Sequence, residues 1–525
     1  MDADNIIIGG GPCGAITAAA LAAQGKAALV IDVGLSLEPA RRAAIMRLSN
    51  SLPESWTTSD VNMIQHQPAT GEGLGRKLWF GSDVVYSTPS NLVVDTEGVG
   101  ATLSFAGGGL SNVWGATMLP YAERDLSRWP VGVRRGLPAA YSAVSRLVPV
   151  SGRSDELETL YPFYGPRQPA LRLTSVGADI SERTSTRRRS LRARSVTAGQ
   201  ARLAIRSGTS APAESCIYCG QCLNGCVYEH IWSADFLLRD LARGDRISVL
   251  HGYAISFSEE QEGVVVSVLS GDRLQQVRGK RLFVAAGALA TAHLLQQSRI
   301  VDGPILVRDN QTIFLPLVFV NSIGSPRLEP SYTLSQVFVR LEAAAGDPLP
   351  SQIQLYTYNP TLLARARSAR PILSYIPEAL LEWTLRRMVI GICYLHSDRS
   401  AQIEVTRPAE GRLRLRPVGT FSARNAARVW MRRLPAALSP LRLFPLSFLA
   451  DVTPPGTGFH IGASMPMTQT FSGRRIETDL LGRPPGISRT HIVDSSVLPS
   501  LPAGPLTYTS MANAWRIATE SSRIP

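Results

Sequence analysis

Three glycines, four cysteines and one histidine carry most of the chemistry legible in this chain of 525 residues. Gly9, Gly11 and Gly14 stand in G-x-G-x-x-G spacing within IIIGGGPCG, directly after the apolar run Ile6, Ile7, Ile8. The first glycine of such a loop allows a tight turn and the second admits a pyrophosphate. The third lets the next helix pack close to the strand. Pro12 and Cys13 lie inside this loop, and Cys13 reads as a small packing residue. A helix is expected over 15–23, its N-terminus offering unbonded N–H groups and a positive dipole end to phosphates. Gly25 closes it, and a second strand over 27–31 leads to Asp32, a carboxylate suited to ribose hydroxyls. Bound FAD and bound NAD look alike at this head.

The cysteines occupy ESCIYCGQCLNGCVYEH, where Cys216, Cys219, Cys222 and Cys226 follow C-x2-C-x2-C-x3-C. This is the spacing of a bacterial ferredoxin run, with Gly220 and Gly225 freeing the backbone to wrap one iron–sulfur cubane. Val227 follows the last cysteine where ferredoxins carry proline. An iron–sulfur cluster, zinc, and metal-free thiols or a disulfide all remain open readings. Cys393 becomes a remote ligand only if the fold brings it near.

The histidine is His460, in GTGFHIGASMPM (Gly456 to Met467). With HIVDSSVLPSLPAGPLTYTSMANAWRIA (His491 to Ala518) this tail resembles the C-terminal signature of the glucose–methanol–choline (GMC) oxidoreductases. AGGGLSNVWGATMLPYAERDLSRWPV (Ala106 to Val131) and RLFVAAGALATAHLLQQS (Arg281 to Ser298) resemble two further segments of that family. The resemblance spans nearly the whole chain and is weakest in the middle. It implies an FAD-binding Rossmann-type α/β fold, p-hydroxybenzoate hydroxylase-like, with an interleaved α+β substrate domain on an antiparallel sheet. It implies Gly107, Gly108 and Gly109 along the FAD, with Ser111 and Asn112 near the ring. Ala286 and Gly287 then close over the adenosine half, and Asp494, Ser495 and Leu506 return the tail to the cofactor. Pyranose oxidases, with a similar run, carry a flavin-linking histidine where this chain has Val113, so the FAD is expected to be non-covalent. His460 becomes the base that takes a hydroxyl proton while hydride leaves carbon for flavin N5. The family's second His or Asn is missing, because Ala503, Gly504, Pro505 and Leu506 stand there. Thr507, Tyr508 or Thr509 is left to supply a hydroxyl, with Thr507 the chosen candidate, or the substrate domain lends a group.

The expected organisation is discontinuous. Residues 1–135, 231–300 and 451–525 form the FAD-binding domain, the last part carrying the catalytic histidine. Residues 136–215 and 301–450 form the substrate domain, and 216–230 the cysteine loop. Alternating strands are expected over 247–270, with a turn at Gly271-Asp272. A buried strand, glycine turn and helix follow over 281–298. The stretch 301–449 reads as strands with poor helical periodicity.

Net charge is +13, almost all of it arginine, since Lys26, Lys77 and Lys280 are the only lysines. Anionic substrate, anionic membrane, nucleic acid and a GC-rich genome are four sources of such a bias. The densest patch, Glu182 to Ser195, has no interleaved aromatics, which argues against nucleic acid. With no signal peptide ahead of the first strand and no membrane-length apolar run, the protein is expected in the cytoplasm with reduced cysteines. The leading expectation is an FAD-dependent dehydrogenase acting on a hydroxyl of a sugar, glycoside or polyol. Its electrons pass to an unknown acceptor other than oxygen, through the cluster if one forms. C=C reduction or a redox-neutral isomerisation on the same scaffold is the first alternative. A membrane-peripheral electron carrier is the second, prompted by the basic apolar stretches Pro371 to Ile390 and Ala427 to Ala450, which read first as core or channel wall.

Overall fold

A computed structural model describes residues 2–65, 77–208, 211, 214–321, 329–343, 349–358, 375–409, 411–419, 421–473 and 476–523. Ile6, Ile7 and Ile8 are buried in the strand Asp2–Ile8, which lies parallel between Ala28–Asp32 and Arg273–Val284. An unbroken branched apolar run suits a strand covered on both faces. Ile247–His251 extends this parallel sheet on one side, and Thr490–Ile492 from the tail joins it on the other. Antiparallel Val264–Ser270 and Tyr253–Glu259 complete seven strands, with Gly271 at φ 57° in the expected turn. The first helix, Pro12–Ala23, starts earlier than periodicity indicates because Pro12 is preset for the first turn. It ends as expected at Gly25 (φ 74°), where Gly25 N–H donates to Ala22 O and Lys26 N–H to Leu21 O.

The second sheet is antiparallel, in spatial order Leu443–Pro445, Thr312–Phe319, Met388–Tyr394, Ser351–Thr357, Val337–Leu341, Val196–Gln200. Strand alternation gives it two faces. One buries Ile313, Leu315, Ile353, Leu355 and Val389 beneath helices Ser175–Thr186 and Phe421–Leu438. The other carries Gln352 opposite Tyr394, Gln354 opposite Ile392 and Tyr356 opposite Ile390. Helix Phe421–Leu438 runs against the strand-dominated expectation. Its buried stripe of Ala423, Ala426, Trp430, Leu434 and Ala437 is helical in spacing, yet mostly alanine and interrupted by Pro435.

A third, five-stranded sheet combines Ile461–Gly462, Ile305–Asp309, Gln402–Thr406, Arg412–Val418 and Val93–Thr96. It packs against helix Ala288–Gln297 through Ala288, Leu289 and Ala292. Among the described residues, no helix is long and apolar enough to cross a membrane.

Candidate active site

The parallel sheet opens at its C-terminal end into a long cleft. Gly9, Gly11, Pro12, Cys13 and Asp32 line it from the head. Ala286 and Gly287 come from the crossover, and Asp494, Ser495, Leu506 and Thr507 from the tail. Gly9 takes φ 98°, which favours glycine, and a Cβ on Gly14 would stand 1.9 Å from Gly9 O, so that helix and loop pack backbone to backbone. Gly11 differs, since its Cβ would meet nothing within 4 Å. The protein leaves room at this position for something else. Asp32 accepts N–H groups of Gly10 and Val33, and burial holds its pKa up at about 6. Ser104 Oγ, His293 Nδ1 and Nε2, and Gln297 Oε1 belong to residues lining the cleft, and none has a hydrogen-bond partner in the protein. A long apolar cleft with an open glycine loop, a carboxylate at the second strand and unpartnered polar atoms in its walls fits a dinucleotide such as FAD.

Asp494 braces the cleft: Oδ2 accepts Gly287 N–H at 2.9 Å and Thr291 Oγ1 at 2.5 Å, and Oδ1 accepts Ser496 N–H at 2.9 Å. Burial raises its pKa above the usual carboxylate range. Ser495 Oγ donates to Ile461 O, tying the tail to the strand beside His460.

The glycine run and its neighbours depart from expectation. Gly109 lines the cleft, while Gly107 and Gly108 pack against Ser233 and Asp235 instead. Asn112 Nδ2 donates to Gly107 O at 2.7 Å and its Oδ1 accepts Ser233 Oγ at 2.8 Å. Ser111 Oγ donates to Gly108 O and accepts Ala234 N–H. Both side chains therefore hold the loop to the next helix rather than reaching the cleft. Of the three tail hydroxyls, Tyr508 OH donates to Tyr141 O and Thr509 Oγ1 bonds Tyr141 OH and Tyr121 N–H. Only Thr507 lines the cleft.

His460 is not itself among the residues that line the cleft: it sits between Phe459 and Ile461, which are, and its ring stacks on Tyr394 with centroids 4.6 Å apart. Phe459 takes φ 54°, a left-handed turn that places two consecutive rings against different walls, Phe459 on Tyr86 and His460 on Tyr394. His460 Nδ1 is buried and makes no hydrogen bond in the protein. Desolvation lowers the imidazole pKa to about 4, against a smaller opposing effect of the Gly504 backbone. The ring is thus neutral near pH 7, with an unused nitrogen: the state a general base requires.

Sequence reasoning missed three groups around it. Gln352 Oε1 lies beside Gly504, where an added Cβ would stand 2.2 Å from it, and Gln352 Nε2 is buried without a partner. Tyr356 OH donates to Gln354 Oε1 at 3.2 Å on the same sheet face. Asp309, Asn310 and Gln311 form a buried polar run whose Asn310 N–H donates to His460 O. Three polar residues inside ILVRDNQTIFLPLVF were the available signal. Burial raises the Asp309 pKa to about 7.

No family model matches this sequence, and no curated protein matches it. Among solved structures it is similar to the crystal structure of pyridoxine 4-oxidase from Mesorbium loti. The match covers 100% of each chain, at a TM-score of 0.60 and 14% sequence identity. The two chains share one fold. The likeness bears out the mixed α/β, FAD-type architecture expected from the GMC resemblance, and at this identity it speaks to fold alone.

The cysteine expectation is corrected. Cys216, Cys219, Cys222 and Cys226 all line one small pocket with Ile205, Ile217, Ile231 and His230. Among the described residues, however, no group of three or more His, Cys, Asp or Glu side chains is arranged to hold a metal ion. Neither the iron–sulfur cluster nor the zinc alternative is supported. Burial raises the thiol pKa of Cys216 to about 12 and lifts those of Cys219 and Cys226. Gly225, at φ 141°, is fixed by packing, since a Cβ there would meet the Phe80 ring at 2.7 Å. Cys393 lies in the separate core beneath the antiparallel sheet.

Proposed function

We propose that this protein is an FAD-dependent oxidoreductase of the GMC type that oxidises a CH–OH group of a neutral polyhydroxylated substrate, a sugar, glycoside or polyol. The observation that carries this reading is the neutral His460 imidazole with its unpartnered Nδ1, held between the cleft-lining residues Phe459 and Ile461. Gly9, Gly11, Asp32, Gly109, Gly287 and Leu506 would hold the FAD, which supplies the two-electron acceptor. His460 takes the hydroxyl proton. Gln352 from the antiparallel sheet stands in for the polar residue missing beside Gly504, its amide nitrogen having no hydrogen-bond partner in the protein. The face around it offers Gln354, Tyr356 and Tyr394. Arg340, opposite Gln352 on the next strand, is held bidentate by Asp125 and also bonds Glu342, so this charge is neutralised. A face of amides and phenols suits uncharged hydroxyls. The expected non-oxygen acceptor rested on the cluster and loses that support. Oxygen uptake against dye reduction on one preparation identifies the acceptor.

Gln352→Ala lowers kcat/KM for the alcohol about 10- to 100-fold, as expected for a buried uncharged hydrogen bond to substrate. Thr507→Val costs less. Equal losses at the two positions would remove Gln352 from its role. Screening alcohols for bleaching of the bound flavin tests the reading as a whole, and a protein whose flavin no sugar or polyol reduces would overturn it.

Val113 follows the Gly109–Asn112 turn and offers no nucleophile to a flavin methyl group. Acid precipitation should therefore leave all flavin in the supernatant. Yellow colour retained by the washed pellet contradicts the non-covalent assignment.

A further inference from the structure

We propose that the free edge of the antiparallel sheet docks on an anionic lipid bilayer. Three segments meet at one end of that sheet. Phe319 N–H donates to Arg387 O, and Val320 N–H donates to Arg442 O. There, and along the adjoining edge strand and helix Glu378–Leu385, large apolar side chains face solvent: Val320, Leu380, Trp383, Phe444, Phe448 and Leu449. Phe448 is 82% exposed, and Phe444 and Trp383 are each 56% exposed. Isolated exposed apolar residues are ordinary, but a contiguous group of this size marks a contact surface.

Charge selects the occupant. Residues 411–450 hold eight arginines and no acidic residue. Arg414 and Arg416 are paired to Asp95 and Glu97. Arg424, Arg428 and Arg432 form an exposed stripe on helix Phe421–Leu438, spaced one turn apart. Arg442 is exposed beside Phe444, and Arg387 stacks on Trp383 at 4.3 Å. Of the described acids nearby, Asp179 is paired to Arg183, and Asp451 is exposed beside the edge strand. Helix Glu378–Leu385 adds the two acids Glu378 and Glu382, and the arginines outnumber the acids along this edge. Aromatic and aliphatic side chains flanked by such an excess of arginine match an acyl boundary beneath anionic headgroups. The same sheet face runs from Phe444, opposite Val318, through Phe314 and Ile392 to Tyr394 against His460. The docked edge is thus continuous with the proposed substrate site.

The FAD-loaded protein is sedimented with vesicles of phosphatidylcholine alone and with vesicles that also contain phosphatidylglycerol. Binding to the second kind only, weakening as salt rises, is the expected result. Phe444→Ser with Phe448→Ser should cut that binding about tenfold or more, because the inserted apolar area is lost. Arg424→Glu with Arg428→Glu and Arg432→Glu should reduce it by a similar factor. Retained flavin content shows that each variant is folded. Three results overturn the proposal. One is no binding to anionic vesicles, and another is binding indifferent to the phenylalanine pair. The third is a concentration-dependent dimer abolished by the same pair, which would give the surface to a second copy of the chain.

Discussion

His460→Ala keeps its fold and its flavin but reduces that flavin with substrate about 10²–10⁴-fold more slowly, the usual contribution of a general base. The ring packs on Tyr394 without a buried hydrogen bond from Nδ1, so its loss leaves no unsatisfied partner there. Stability should fall by the lost packing and by the lost hydrogen bond to the Gly504 backbone. Rapid mixing of enzyme with substrate, followed at the flavin band, measures the step directly. In the wild type the rate stays level across neutral pH and declines as pH falls toward about 4, where the imidazole takes up its proton. The base form is the neutral one, so activity is present above that pKa and lost below it. A variant that bleaches at the wild-type rate would place the base elsewhere.

Gly11→Val and Gly14→Ala should fail in opposite ways, although both alter the same glycine loop. A Cβ on Gly11 has no protein atom within 4 Å and points the side chain into the space proposed for a pyrophosphate. That variant should fold with the melting temperature of flavin-stripped wild type and emerge from gel filtration colourless. A methyl on Gly14 meets Gly9 O at 1.9 Å and Ala285 Cβ at 3.4 Å. The helix must move, at a cost of about 1–3 kcal/mol, and any loss of flavin follows from instability. Melting both variants without FAD keeps ligand stabilisation out of the comparison. A yellow, fully loaded Gly11→Val protein would mean that the phosphate path runs elsewhere.

The stretches read correctly from sequence are those in which the local chain dictates its own conformation. Ile6 to Asp32 is a strand, a glycine turn, a helix ended at Gly25 and a second strand, and each step follows from neighbours a few residues away. Arg281 to Ser298 is the same kind of unit, with Gly287 at φ 85° between strand and helix. Helix Phe421–Leu438 was obscured because alanines that bury well give a weak apolar signal.

Sequence by itself determined the glycine loop and the acid at the second strand, and it singled out His460 as the proposed base. Glycine dihedrals and short-range spacing are properties of the chain alone. Tertiary structure decided how polar groups are used. Asn112 and Ser111 are held by Ser233 and Ala234, Thr507 is left to the cleft while Thr509 goes to Tyr141, and Gln352 arrives beside Gly504 from another sheet. It also decided that four cysteines with ferredoxin spacing line a cavity without forming a metal-holding set. A strand's alternation fixes which side chains share a face, but the pairing of strands far apart in sequence fixes what that face meets. Hydrogen-bond partners follow from that meeting, and residue type cannot supply it.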